Sequence, residues 1–109
     1  MSRTIITKSD SEFFTNVNSE QLLGVLCQMC NAKFFVSPIF NDDVWMAYSM
    51  TEEEATFTSD ALKTLIPRAE ELFESVKYYF GKGSTHIDLI GTIRYYSERF
   101  KESKGYECV

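Results

Sequence analysis

The sequence predicts an α+β fold in which a small antiparallel sheet packs with about three helices. Three observations carry that prediction. Residues 20–31 are apolar nearly all round a helix, as a buried helix is. Two β-rich runs, residues 33–40 and 44–50, are separated by Asn41-Asp42-Asp43. From Ala61 to Phe100 the apolar side chains recur mainly at helical spacing. The chain has 109 residues, 44% of them hydrophobic and 25% charged, which suits one domain over 1–109 with a sizeable core. The apolar runs are too short to span a membrane, and Met1-Ser2-Arg3-Thr4-Ile5-Ile6-Thr7-Lys8 lacks the apolar stretch of a secretory signal. A cytoplasmic protein is the expectation.

Ile5 and Ile6, set between polar residues, are expected in a short edge strand. Ser9-Asp10-Ser11-Glu12 has the form of a capping box that opens a helical turn bearing Phe13, Phe14 and Val17. Asn18 or Ser19 then caps the buried helix, whose Leu22, Leu23, Val25, Leu26, Cys27, Met29 and Cys30 form the centre of the core. The Asn and Asp residues between the two β-rich runs favour a turn, so residues 34–50 are expected to form a hairpin. Pro38 places its first strand at an edge or bulge, because proline cannot donate to a ladder. Alternation puts Val44, Met46, Tyr48 and Met50 on one face. Trp45 and Ala47, with Phe35 and Ile39 of the first strand, fall on the other. Both faces are apolar, so either helices cover both or the Trp45–Phe35–Ile39 layer is a contact surface for a partner or a homodimer.

Thr51-Glu52-Glu53-Glu54 fits a helix opened by a capping box, or a crossing to a strand near Ala55–Thr58. Leu62, Leu65, Ile66, Ala69, Leu72, Phe73, Val76, Tyr79 and Phe80 follow helical spacing, with Pro67 forcing a kink or a restart. Gly81-Lys82-Gly83 stops that helix. Ser84 or Thr85 caps a last helix with the stripe Leu89, Ile93, Tyr96 and Phe100, ending near Lys104-Gly105. Cys108 falls where chain ends usually fray.

Charge is uneven. Residues 9–60 hold nine carboxylates against Lys33 alone, whereas residues 61–109 hold seven acids and eight bases. The whole chain carries −5. A strongly acidic half either solvates the fold or meets a basic partner. Asp42, Asp43, Glu52, Glu53 and Glu54 are its densest clusters.

The chemical motifs are weak. Cys27-Gln28-Met29-Cys30 resembles a redox pair in spacing only. A reactive first cysteine needs a helix N-terminus, and these sulfurs fall late in an apolar helix, as core thiols do. A zinc site would have only His86 and Cys108 to add. Phe80-Gly81-Lys82-Gly83-Ser84-Thr85 fails the spacing and context of a phosphate loop and reads as a helix stop followed by a helix cap. The single His has no triad-like neighbours. No catalytic residue, cofactor or metal is expected.

Aromatic residues outside the stripes carry more information. Tyr78 falls on the outer face of its helix with Glu71 and Glu74, and Tyr95 flanks the last stripe one turn before Arg99. Tyr and Arg are enriched at binding hot spots. Arg94, Tyr95, Arg99, Lys101, Lys104 and Tyr106 interleave bases with aromatics as a nucleic-acid surface would. Glu98, Glu102 and Glu107 dilute them, so direct nucleic-acid binding is disfavoured.

The expectation is a non-catalytic acidic protein-binding module, an inhibitor or adaptor of a cytosolic protein. One specific form blocks a basic nucleic-acid-binding partner, as a small protein of a virus or mobile element would. The rivals are a nucleic-acid accessory protein using the last helix, and a small enzyme or metal-binding protein.

Overall fold

A computed structural model of the chain describes residues 2–11, 13–32 and 49–108. They form an α+β fold. Strand β1 (Ser2–Thr7) leads through a turn to β2 (Phe14–Asn16) and helix α1 (Val17–Met29). Strand β3 (Ser49–Met50) runs into α2 (Glu52–Lys63), and α3 (Ala69–Val76) and α4 (His86–Ser103) follow before β4 (Tyr106–Cys108). All but the last two residues of the expected hairpin, Phe35, Ile39, Asp42, Asp43 and Trp45 among them, lie outside the described residues.

The sheet has the order β2-β1-β4-β3, with every neighbouring pair antiparallel. β1 is therefore an inner strand, not the expected edge: β2 pairs with its first half and β4 with its second. Register explains which residues face the core. Thr7, Tyr106 and Met50 align across three strands, and all three are buried. Ile6, Glu107 and Ser49 align one residue away and are all exposed. Period-two alternation thus sorts the sheet into a wet face and a dry one.

The expected capping box at residues 9–12 is replaced by a turn. Asp10 takes φ 61°, in the left-handed region where Asp is among the more tolerant residues. The turn's donors serve the distant end of α4: Lys8 N–H bonds to Gly105 O at 2.9 Å and Ser9 N–H to Ser103 O at 3.1 Å. The Ser9 hydroxyl donates to Glu102 O. Carbonyls left open at a helix C-terminus need such partners, and this tertiary demand overrides the local helix signal. Phe13, freed from a helical turn, packs edge-on against Phe100 (5.1 Å) and Tyr106 (5.7 Å) in the core.

α1 is not buried all round. Leu22, Leu23, Leu26 and Cys27 are buried, while Val25, Met29 and Cys30 only pack against the core and Gln28 is exposed. The Thr51 segment resolves as helix. Thr51 Oγ1 accepts from Glu54 N–H at 3.1 Å, and Glu54 Oε1 accepts from Thr51 N–H at 3.0 Å. The apolar pattern from Leu62 to Phe80 is not one helix. α2 ends at Lys63, a 3-10 turn over Ile66–Arg68 takes Pro67 in its first turn, and α3 restarts at Ala69. A second 3-10 turn, Lys77–Tyr79, follows. The core lies between α2 and α4, closed by α1, α3 and the buried sheet face.

Beyond Lys104, which ends α4 at φ 56°, Gly105 takes φ 101° and turns the chain into β4. The expected frayed end is instead a paired strand, and Tyr106 is fully buried rather than part of a basic surface. Among the described residues, no helix is long and apolar enough to cross a membrane.

Candidate functional site

The first turns of α1, the segment following α3 and the first half of α4 enclose an open groove of about 520 Å³. α1 supplies Asn18, Ser19 and Leu22, and the segment after α3 supplies Tyr79 and Phe80. α4 supplies Ile87, Asp88, Gly91, Thr92, Tyr95 and Tyr96. That volume falls in the range of ligand and peptide sites.

Helical geometry sets the α4 wall. Ile87, Gly91 and Tyr95 are spaced by four, so they stack along one side of the helix. Ile87 is 68% exposed and Tyr95 53%, which is high for such side chains. Gly91 between them is a notch: a methyl group placed there would meet nothing within 4 Å. The core stripe Leu89, Ile93 and Phe100 holds the opposite side of α4 at 0% exposure, so the groove wall is fixed in orientation. The cap at Thr85 anchors its start: Ile87 N–H bonds to Thr85 Oγ1 at 3.3 Å and Thr85 N–H to Asp88 Oδ2 at 2.8 Å.

Rings dominate the lining. Tyr95 meets Tyr96 edge-on at 5.1 Å and 83°. Tyr79 lies 4.4 Å from the ring of Tyr78, and Phe80 5.7 Å from Phe73. The Tyr79 hydroxyl is pushed up to about 12, chiefly by burial, then by its hydrogen bond with Tyr78 and the charge Tyr78 would carry. It stays neutral near pH 7. Asp88 is then the one formally charged residue among the described residues of the lining. The remaining polar groups are hydroxyls and an amide. Such a surface binds by shape, ring contact and hydrogen bonds.

The sequence-expected residues fall around the molecule in different ways. Tyr95 lines the groove, and Arg99 lies over its ring at 5.5 Å. Arg99 is not a free anchor: its side chain is only 25% exposed, and Nη2 is 3.1 Å from Glu102. Tyr78 is 73% exposed and lies outside the groove lining, with its ring tilted against that of Tyr79. Glu52 and Glu53 are exposed in the first turn of α2, whereas Glu54 is half-buried and serves the cap. Cys27 is buried, and burial pushes the half-buried Cys30 thiol upward, away from the thiolate a reactive cysteine needs. Among the described residues, no three His, Cys, Asp or Glu side chains gather to hold a metal ion.

Sequence reasoning missed Asn18, Ser19, Ile87, Asp88, Gly91 and Thr92. A signal for the α4 members was present, since Ile87, Gly91 and Tyr95 form a second spacing-by-four series beside the core stripe. The α1 members had no signal, because only the tertiary fold sets them opposite α4. No family model, curated protein or solved structure matches the chain.

Proposed function

We propose that this chain is a protein-binding module, an inhibitor or adaptor, that engages a partner with a basic surface through the α1–α4 groove. The observation that carries this reading is the pair of exposed apolar side chains, Ile87 and Tyr95, flanking the Gly91 notch over a ring-lined groove. Large apolar side chains grouped at a concave surface mark contact sites, whereas scattered ones do not. The net charge of −5, with Glu52 and Glu53 exposed, favours encounter with a basic surface. A partner that uses such a surface to hold nucleic acid would be blocked by this contact.

The test begins with a photo-crosslinking side chain at Thr92, compared with one at Glu53 far along the chain. The adduct specific to Thr92 is identified and purified. Gly91→Trp places a ring in the notch from an exposed helical position where an added Cβ meets nothing within 4 Å, so the fold should melt as the parent does. Binding to the purified partner should fall at least about tenfold. Undiminished binding by Gly91→Trp sinks the groove reading. Self-adducts alone would make the partner a second copy of this chain.

A further inference from the structure

Given the groove as the contact site, we infer that its occupant is a cationic side chain, arginine or lysine, carried on a partner segment and lodged between Asp88 and the tyrosine rings. The charge layout leads there. Asp88 is the single formal charge among the described lining residues, and only its Oδ2 is taken, by Thr85 N–H at 2.8 Å. The ion pairs among the described residues, Arg68–Glu71, Lys77–Glu74 and Arg99–Glu102, all leave Asp88 out. The carboxylate therefore retains a lone-pair face for an incoming donor.

Ring chemistry points the same way. Tyrosine faces attract cations through the ring quadrupole, and a desolvated setting strengthens the attraction. Tyr95 already does so within the chain, with the Arg99 guanidinium 5.5 Å from its centroid. Tyr79 stays un-ionised, so its ring and hydroxyl take part as neutral groups. A guanidinium would combine flat contact on a ring with hydrogen bonds to Asp88 Oδ1, and its alkyl stem would cover Leu22 or Ile87. Three opposing effects come from α4 itself: its first-turn amides partly offset Asp88, Arg99 lies over the Tyr95 ring, and exposed Arg94 borders the wall. Exposed Glu98, one turn beyond Arg94, counters that charge.

The proposal makes opposite predictions for two substitutions. Asp88→Asn keeps an oxygen for the Thr85 cap while removing the charge. Arg99→Gln removes a like charge beside Tyr95. The probe is a capped peptide of alternating glycine and arginine, compared with the same peptide carrying uncharged citrulline. Amide NMR of the intact protein should show saturable shifts at Gly91, Thr92 and Tyr95 with the arginine peptide, weakened by salt. Asp88→Asn should weaken binding about three- to fivefold, and Arg99→Gln should strengthen it by a smaller factor. Equal binding of the citrulline peptide, or no effect of Asp88→Asn in a folded variant, overturns the cationic occupant and leaves the groove as a contact site. Reversed signs for the two substitutions likewise overturn the cationic occupant. No shift with either peptide also overturns the proposal, while the Gly91→Trp result still decides the groove itself.

Discussion

Gly105 and Gly91 show how one residue type serves two purposes. A methyl group on Gly105 would sit 2.7 Å from the carbonyl oxygen of Met50 and 3.1 Å from Glu52 N, at a φ of 101°. Both the space and the backbone angle exclude a side chain. Gly105→Ala should therefore lose about 2–4 kcal/mol in urea unfolding, by forcing apart the β3–α2 junction. A loss under ~1 kcal/mol would mean that the junction yields easily. Gly91 has open space and a helical backbone, so its glycine serves the notch rather than the fold. Ser59 is a third residue-scale case. Its Oγ is fully buried without a hydrogen-bond partner among the described residues, a costly state for a hydroxyl. Ser59→Ala should raise stability by about 1 kcal/mol, read as a later urea midpoint. A destabilised variant would show that the hydroxyl has a bonding role.

Capping decides where the helices begin. α2 and α4 each open on a threonine with an acidic residue three positions on, Thr51 with Glu54 and Thr85 with Asp88. Each box satisfies donors that the first turn would otherwise leave open, and its carboxylate lies at the positive end of the helix. The three consecutive glutamates of α2 are thus not equivalent. Thr51→Ala should lose about 1 kcal/mol, whereas Glu52→Gln with Glu53→Gln should change the melting temperature little, because both are exposed. The same double variant should slow association with a basic partner at low salt. A melting loss equal to that of Thr51→Ala would tie those glutamates to the fold. Pro67 acts at this scale too, splitting one apolar pattern into α2 and α3 through a 3-10 turn.

At the scale of the whole molecule α4 is the common element. It packs on α2 and α3, its C-terminus is held by Lys8 and Ser9, and its other side forms the groove wall. Tyr79, where the segment after α3 meets that wall, should record the assembly in its titration. Its pKa rises from the ordinary 10.0 to about 12, so the folded state holds this proton longer than the unfolded chain. Stability is then unaffected below pH 10 and falls as pH climbs from about 10 to 12, where only the unfolded chain releases the proton. Ultraviolet titration should show a late-ionising tyrosine component, and Tyr79→Phe should diminish it by one ring. An undiminished late component in Tyr79→Phe would assign it to other rings.

At Thr51 local signals left a helix and a strand crossing open, but they were enough for the α+β class, for a helix cap at Ser84 or Thr85, for the end of α4 near Lys104-Gly105 and for Cys27 as a core thiol. Each depends on residues within a few positions of one another, where spacing and side-chain hydrogen bonding act without the rest of the chain. Tyr95 was legible as a candidate anchor for the same reason. The inner position of β1, the turn at Asp10, the buried Tyr106 and the α1 side of the groove were decided by tertiary structure alone. They rest on pairings such as Ile5 with Cys108 and Ser9 with Glu102, whose partners lie at opposite ends of the sequence. A three-residue strand carries almost no periodic signal, and a helix-end carbonyl draws whichever donor the fold delivers to it.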